Sequence, residues 1–233
     1  MLLLFMENII LLHGALGSSS DLETLSGKLK QKGVAVFSFS FSGHGKTNFQ
    51  NDFGIRRFSQ ELESFINHHH LKEPNIFGYS MGGYVALHLA SNCPGLIGKI
   101  ITLGTKFVWN EDSVAKEIKQ LDAETIIQKV PAFAKLLGEK HGPDWRHLLE
   151  KTGDMMKEIS NSQPLAMETL KRINTPTLFG IADRDQMVSI EETITVLKTL
   201  PTAFMFMLPN GKHQLESVNL NLLSEIIFDF ITG

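Results

Sequence analysis

Gly78-Tyr79-Ser80-Met81-Gly82 constrains the possible folds of this chain more than any other stretch. It stands between a short apolar run, Asn75-Ile76-Phe77, and a helix-forming stretch, Gly83-Tyr84-Val85-Ala86-Leu87-His88-Leu89-Ala90. A serine with glycines two before and two after reads as a sharp strand-to-helix turn. A turn that tight leaves no room for Cβ atoms at the glycines. It lifts the Ser80 hydroxyl off the end of a sheet and sets it at a helix N-terminus, where developing negative charge is stabilised. Glycine and serine are common in loops, so the pentapeptide alone fits an ordinary turn. The strand and helix on either side of it favour a nucleophile.

Around this turn, short apolar runs alternate with helical stretches. Strands are expected near 8–12, 34–40, 74–79, 99–103, 176–181 and 203–208, and helices near 20–32, 55–70, 81–92, 189–199 and 215–231. That alternation predicts an α/β fold with a mostly parallel central sheet and helices on both faces. The rhythm breaks between about 106 and 171, where only helical segments appear: Asp112–Lys119, Asp122–Lys129, Ala132–Lys140, Asp144–Ile159 and Gln163–Lys171. Pro131, Gly142-Pro143 and Pro164 separate them. Five helices are too many for one crossover. The segment 107–171 is therefore expected to be an all-helical lid inserted into a core formed by 1–106 and 172–233.

Four further signatures follow apolar runs. They are His13-Gly14-Ala15-Leu16-Gly17, Ser42-Gly43-His44-Gly45-Lys46-Thr47, Asp183-Arg184-Asp185-Gln186-Met187-Val188 and Leu208-Pro209-Asn210-Gly211-Lys212-His213. In this order, and with the Ser80 turn, they resemble the α/β-hydrolase family over almost the whole chain. The resemblance implies a Ser–acid–His set in that chain order. Of the four histidines after Ser80, His88 lies on the helix that follows the turn, and His141 and His147 lie in the expected lid. His213 occupies the family's position for the general base. Two acids compete. Asp185 has Val188 three residues on but Ala182 where the family carries glycine, whereas Asp183 has Gly180 but no such valine. The fuller stretch resembles members in which the second aspartate is the acid, which favours Asp185 over Asp183.

The resemblance also implies an oxyanion hole made by the backbone amides of Met81 and Ala15. His13 reads as a loop brace. Members often carry aspartate where this chain has Ser40, a departure expected to cost a structural hydrogen bond. Leu16, Trp109 and Phe133 are candidates for lining an apolar acyl pocket.

Composition excludes other classes. The chain has 233 residues, 42% hydrophobic and 20% charged, with a net charge of −3. Nothing in that balance suggests a nucleic-acid partner. His68-His69-His70 cannot converge on one metal ion from a helix, because consecutive residues point about 100° apart. No phosphate or dinucleotide fingerprint occurs, so no cofactor is expected. The apolar start, Met1 to Met6, is too short for a signal core, and no run approaches the ~20 apolar residues of a membrane span. Met6 is a possible start of translation. The single cysteine, Cys93, fits a reducing compartment. The reading from sequence is a cytoplasmic, cofactor-free serine hydrolase acting on a small carboxylic ester or thioester. The alternatives are a carbon–carbon bond hydrolase or lyase with the same triad, and a non-catalytic ligand-binding module on this scaffold.

Overall fold

A computed structural model describes residues 7–233; Met1 and Met6, the two possible starts, lie outside the described residues. Among the described residues, six strands form one sheet: β1 Asn8–Leu12, β2 Ala35–Ser38, β3 Asn75–Tyr79, β4 Ile100–Leu103, β5 Thr177–Ala182 and β6 Ala203–Leu208. Their spatial order is β2-β1-β3-β4-β5-β6, and every neighbouring pair is parallel. All six coincide with the expected apolar runs.

A parallel sheet needs a crossover between neighbouring strands, and the crossovers cover both faces. The inner strands are therefore apolar on both sides. Ile10, Leu12, Ile76, Ile100 and Phe179 face one core. That core also holds Phe58 and Leu62 of α2 (Ile55–His68), Val85 and Leu89 of α3 (Met81–Asn92) and Val196 of α9 (Ile190–Leu197). Their sequence neighbours Ile9, Leu11, Phe77, Ile101 and Leu178 face the other core. There they meet Leu25 and Leu29 of α1 (Glu23–Gln31) and Leu223 and Ile227 of α10 (Leu220–Thr232). Each fully buried side chain of this size contributes about 1.5–3 kcal/mol, so the two cores fix strand register as well as stability.

Between β4 and β5 lie α4 Glu111–Ile118, α5 Ala123–Lys129, α6 Pro131–His141, α7 Trp145–Ser162 and α8 Met167–Leu170. Ile126, Leu137, Trp145 and Leu149 give this insertion a small core of its own. Its later part joins the sheet-facing core instead, through Met155, Ile159, Leu165 and Leu170. The helix expected over 163–171 is shortened to α8, because Gln163 is left-handed at φ +46° and Pro164 follows it. The helix expected from 215 starts at Leu220, where the Asn219 side chain accepts from the Asn221 and Leu222 amides. Leu215–Ser217 forms a separate 3₁₀ turn.

Candidate active site

The strand-to-helix turn is as tight as its glycines require. A Cβ on Gly78 would stand 2.3 Å from the Gly83 nitrogen, and one on Gly82 2.6 Å from the Leu12 oxygen. Ser80 itself sits at φ +51°, ψ −115°, a conformation that costs a non-glycine residue about 1–3 kcal/mol. Bonds to β4 and its exit hold it there: the Ser80 amide donates to the Leu103 carbonyl (2.8 Å), and Thr105 Oγ1 donates to the Ser80 carbonyl (3.0 Å).

Loops that leave the carboxyl ends of β5 and β6 meet this turn. His213 Nε2 lies 3.2 Å from Ser80 Oγ, and His213 Nδ1 lies 2.8 Å from Asp185 Oδ2. The other Asp185 oxygen accepts the Met187 and Val188 amides, at 2.8 and 2.9 Å. Burial alone would raise the Asp185 pKa. The hydrogen bond and charge of His213, with those two amides, outweigh burial and hold the carboxyl below its ordinary range. Asp183 is exposed and accepts the Gly211 amide at 3.2 Å, so it braces the β6 exit and does not reach His213.

Four contributors were not evident from the sequence. The Tyr79 hydroxyl donates to the His213 carbonyl at 2.9 Å, and burial raises its pKa well above that of free tyrosine. Gly104, at φ +63°, lets the backbone pass close to the pair: a Cβ there would lie 3.2 Å from His213 Cε1 and 3.3 Å from Asp185 Oδ2, crowding both. Lys106 Nζ donates to the Met187 carbonyl at 2.8 Å and so holds the loop that carries Asp185. His141 is the fourth, and it acts on the loop after β1.

That loop carries Ala15. His13 is fully buried, and its Nε2 accepts the Phe41 amide at 3.1 Å. An amide can only donate, so the ring proton sits on Nδ1, which donates to the Gly14 carbonyl at 2.8 Å. Gly14 O and Ala15 N belong to one peptide plane, so this bond orients the Ala15 amide. Burial pulls the His13 pKa down to about 4, and the brace is neutral. Among the described residues, neither the Ala15 nor the Met81 amide donates to a protein acceptor. Ser40 does form a cross-loop bond, since its hydroxyl accepts the Ser19 amide at 3.0 Å.

The three candidate pocket residues are placed differently. Leu16 packs against the core of the insertion. Trp109 is half-buried against the sheet-facing core, with Nε1 donating to the Lys106 carbonyl at 3.1 Å. Phe133 stands on α6, 37% exposed and outside the packed clusters. An open cleft of about 610 Å³ lies elsewhere, lined by Phe39, Ser42, Arg57, Glu61 and their neighbours; none of Ser80, Asp185 or His213 borders it. Among the described residues no group of three or more His, Cys, Asp or Glu could hold a metal ion, and no helix is long and apolar enough to cross a membrane.

Known proteins carry the same architecture. A protein of Pseudomonas savastanoi pv. phaseolicola described as a carbamate hydrolase is 23% identical over 97% of this chain and 94% of its own length. A crystal structure described as a lipase from Acinetobacter baumannii AYE superposes with a TM-score of 0.82 at 19% identity, covering 97% of this chain and 84% of that one. The 2-hydroxy-6-oxo-6-phenylhexa-2,4-dienoate hydrolase of Rhodococcus sp. strain RHA1 superposes with a TM-score of 0.81 at 18% identity, covering 98% and 91%. The profile of the alpha/beta hydrolase fold matches residues 7–134, more than half of the chain. On that match, and on the parallel sheet with its serine turn, the chain belongs to the alpha/beta hydrolase fold family.

Proposed function

We propose that this chain is a cofactor-free serine hydrolase of a small carboxylic ester or thioester. The observation that carries the reading is the hydrogen-bonded line from Ser80 Oγ through His213 to Asp185. A hydroxyl is a weak nucleophile at neutral pH and needs an adjacent base. His213 Nε2 takes the Ser80 proton as Oγ attacks the carbonyl carbon. Asp185 keeps the His213 proton on Nδ1 and stabilises the imidazolium that forms. The negative oxygen falls to the Met81 amide, at the positive end of α3, and to the Ala15 amide. Collapse breaks the bond to the alcohol or thiol, which leaves with the proton from His213. Water, activated by the same imidazole, then hydrolyses the acyl group from Ser80.

The helices of 107–171 act as a lid in this reading, with Leu16, Trp109 and Phe133 as candidate walls for the acyl part. The lone cysteine suits a cytoplasmic setting. A second reading keeps the same three residues and breaks a carbon–carbon bond. The name of the dienoate hydrolase is consistent with it: 2-hydroxy-6-oxo-6-phenylhexa-2,4-dienoate carries no ester, and its keto tautomer belongs to the vinylogous diketones. Fold and triad do not separate the two. Turnover of simple aryl esters set against such diketones does. A non-catalytic module has less support, since it has no need for the Ser80–His213–Asp185 line.

The test is labelling by an activated fluorophosphonate. The native protein should be labelled at Ser80, and Ser80→Ala should stay unlabelled. Removal of the hydroxyl should lower kcat on an aryl ester by roughly 10⁴–10⁶-fold. Folded wild-type protein that is not labelled would sink the reading.

A further inference from the structure

Leu16 adopts φ +57°, a left-handed backbone that is costly for any residue with a Cβ. Ala15 and Leu16 are the two central residues of a turn closed by the Gly17 amide on the Gly14 carbonyl at 3.1 Å, so whatever holds Leu16 in that conformation also supports the turn that presents the Ala15 amide. Much of the hold comes from the insertion, far away in sequence. The Leu16 side chain packs against the cluster of Ile126, Leu137, Trp145 and Leu149. Its carbonyl lies 2.9 Å from Nε2 of His141, the last residue of α6. The other ring nitrogen, Nδ1, accepts the Gly45 amide at 2.9 Å. An amide only donates, so His141 is neutral with its proton on Nε2, pointed at the Leu16 carbonyl. The residue is withdrawn from solvent, at 7% exposure. The preceding residue adds a second attachment. Lys140 Nζ lies 2.6 and 2.7 Å from the two Asp21 oxygens, and Asp21 Oδ2 in turn accepts the Ser18 amide at 3.0 Å.

We propose that His141 is a positioning residue for the oxyanion hole, and that the Ala15 amide is fully in place when the C-terminal end of α6 is docked on the loop, in addition to the His13 brace on the Gly14 carbonyl. This rests on the serine-hydrolase reading of Ser80 and Ala15. Undocking that end of α6 frees the Leu16 carbonyl and side chain together. Leu16 then relaxes out of the left-handed region, which loosens the Gly14–Gly17 turn and leaves the Ala15 amide held by His13 alone. An opened site is thus a disarmed one, and substrate admission has to leave the end of α6 in place or be reversed before chemistry.

The experiment compares wild type, His141→Leu and His141→Gln on an aryl ester. It also measures the affinity of a trifluoromethyl ketone, which forms a tetrahedral oxyanion adduct with the serine, and amide hydrogen exchange over 14–17 and 43–46. His141→Leu should lower kcat about 10- to 100-fold, part of the about 10²–10³-fold that a lost donor costs, with KM within about twofold. Ketone affinity should fall by the same factor, and exchange should quicken in both loops. Gln keeps an N–H for the Leu16 carbonyl and should recover most of the loss. Lys140→Met, at a partly exposed site, should show the same pattern more weakly and serves if His141→Leu does not fold. Unchanged kcat and ketone affinity in either folded variant would overturn the proposal. So would losses confined to thermal stability or KM. Wild-type protein that neither binds the ketone nor reacts with a fluorophosphonate would instead overturn the serine-hydrolase reading itself.

Discussion

Replacing Asp185 with asparagine tests the proposed mechanism more sharply than deleting the serine, because the structure fixes which way the amide must point. Asp185 Oδ1 accepts the Met187 and Val188 amides at 2.8 and 2.9 Å. In Asp185→Asn those two donors hold the side-chain carbonyl where Oδ1 now lies. The NH₂ group is then forced toward His213 Nδ1, where Oδ2 now sits 2.8 Å away. Two donors cannot share that contact, so the imidazole shifts its proton to Nε2. A protonated Nε2 facing Ser80 Oγ cannot accept the serine proton. The loss expected from a wrong tautomer in an intact geometry is about 10⁴-fold in kcat, or about 5.5 kcal/mol of barrier. Asp183→Asn retains a carbonyl for the Gly211 amide and should stay within about threefold, because exposed substitutions of this kind cost little. Steady-state kinetics on an aryl ester, with circular dichroism to confirm folding, gives both values. A larger loss in Asp183→Asn would move the acid to that position. Equal and mild losses would mean that neither carboxylate serves a working base.

Two other outcomes follow from the packing and the burial. Burial holds His13 neutral down to about pH 4 and pulls His44 well below its ordinary value of 6.5, while the unfolded chain protonates both near 6.5. The unfolded state binds the extra protons, so stability is full above pH 6.5 and declines as pH falls toward 4. His13 alone contributes a loss of about 3 kcal/mol across that window. Urea melts at pH 7.5 and 4.5 should show it, and a flat profile would contradict the neutral assignment. Truncating Trp109 or Phe133 to alanine should change relative kcat/KM across acyl lengths by about 1–3 kcal/mol for each side chain that walls the pocket. Wild-type length profiles in both variants would place the acyl pocket elsewhere and leave those side chains as part of the insertion's packing.

The six strands were legible because a strand buried on both faces reads as an uninterrupted apolar run, as in Ile9-Ile10-Leu11-Leu12. The serine turn was legible because its glycines answer to contacts within a few residues, or to a strand whose place the fold dictates. Helix ends were less so. Gln163 and Leu215 look helical by composition, but a left-handed backbone before Pro164 and a 3₁₀ turn interrupt them. The Asp183–Asp185 ambiguity was a matter of one carboxylate's direction, which spacing does not encode. His141 was not legible at all as a working residue, since its partner Leu16 stands 125 positions away and offers only a backbone oxygen. Lys106 escaped for the same reason, through the Met187 carbonyl.

The all-parallel sheet has a consequence for how this protein comes into being. Each strand must wait for a crossover before its neighbour can dock, so most of its pairings join distant parts of the chain, and such topologies gather slowly. The three residues of the line arrive from β3, β5 and β6, and β6 is the edge of the sheet. His213 precedes the short turn and α10, which closes the second core through Leu223 and Ile227. A growing polypeptide on the ribosome can therefore shape the serine turn and hold it strained long before any base can reach it. In the proposed mechanism the reactivity of Ser80 is withheld until β6 has docked at the sheet edge and brought His213 to it, so its appearance reports that all six strands are in place.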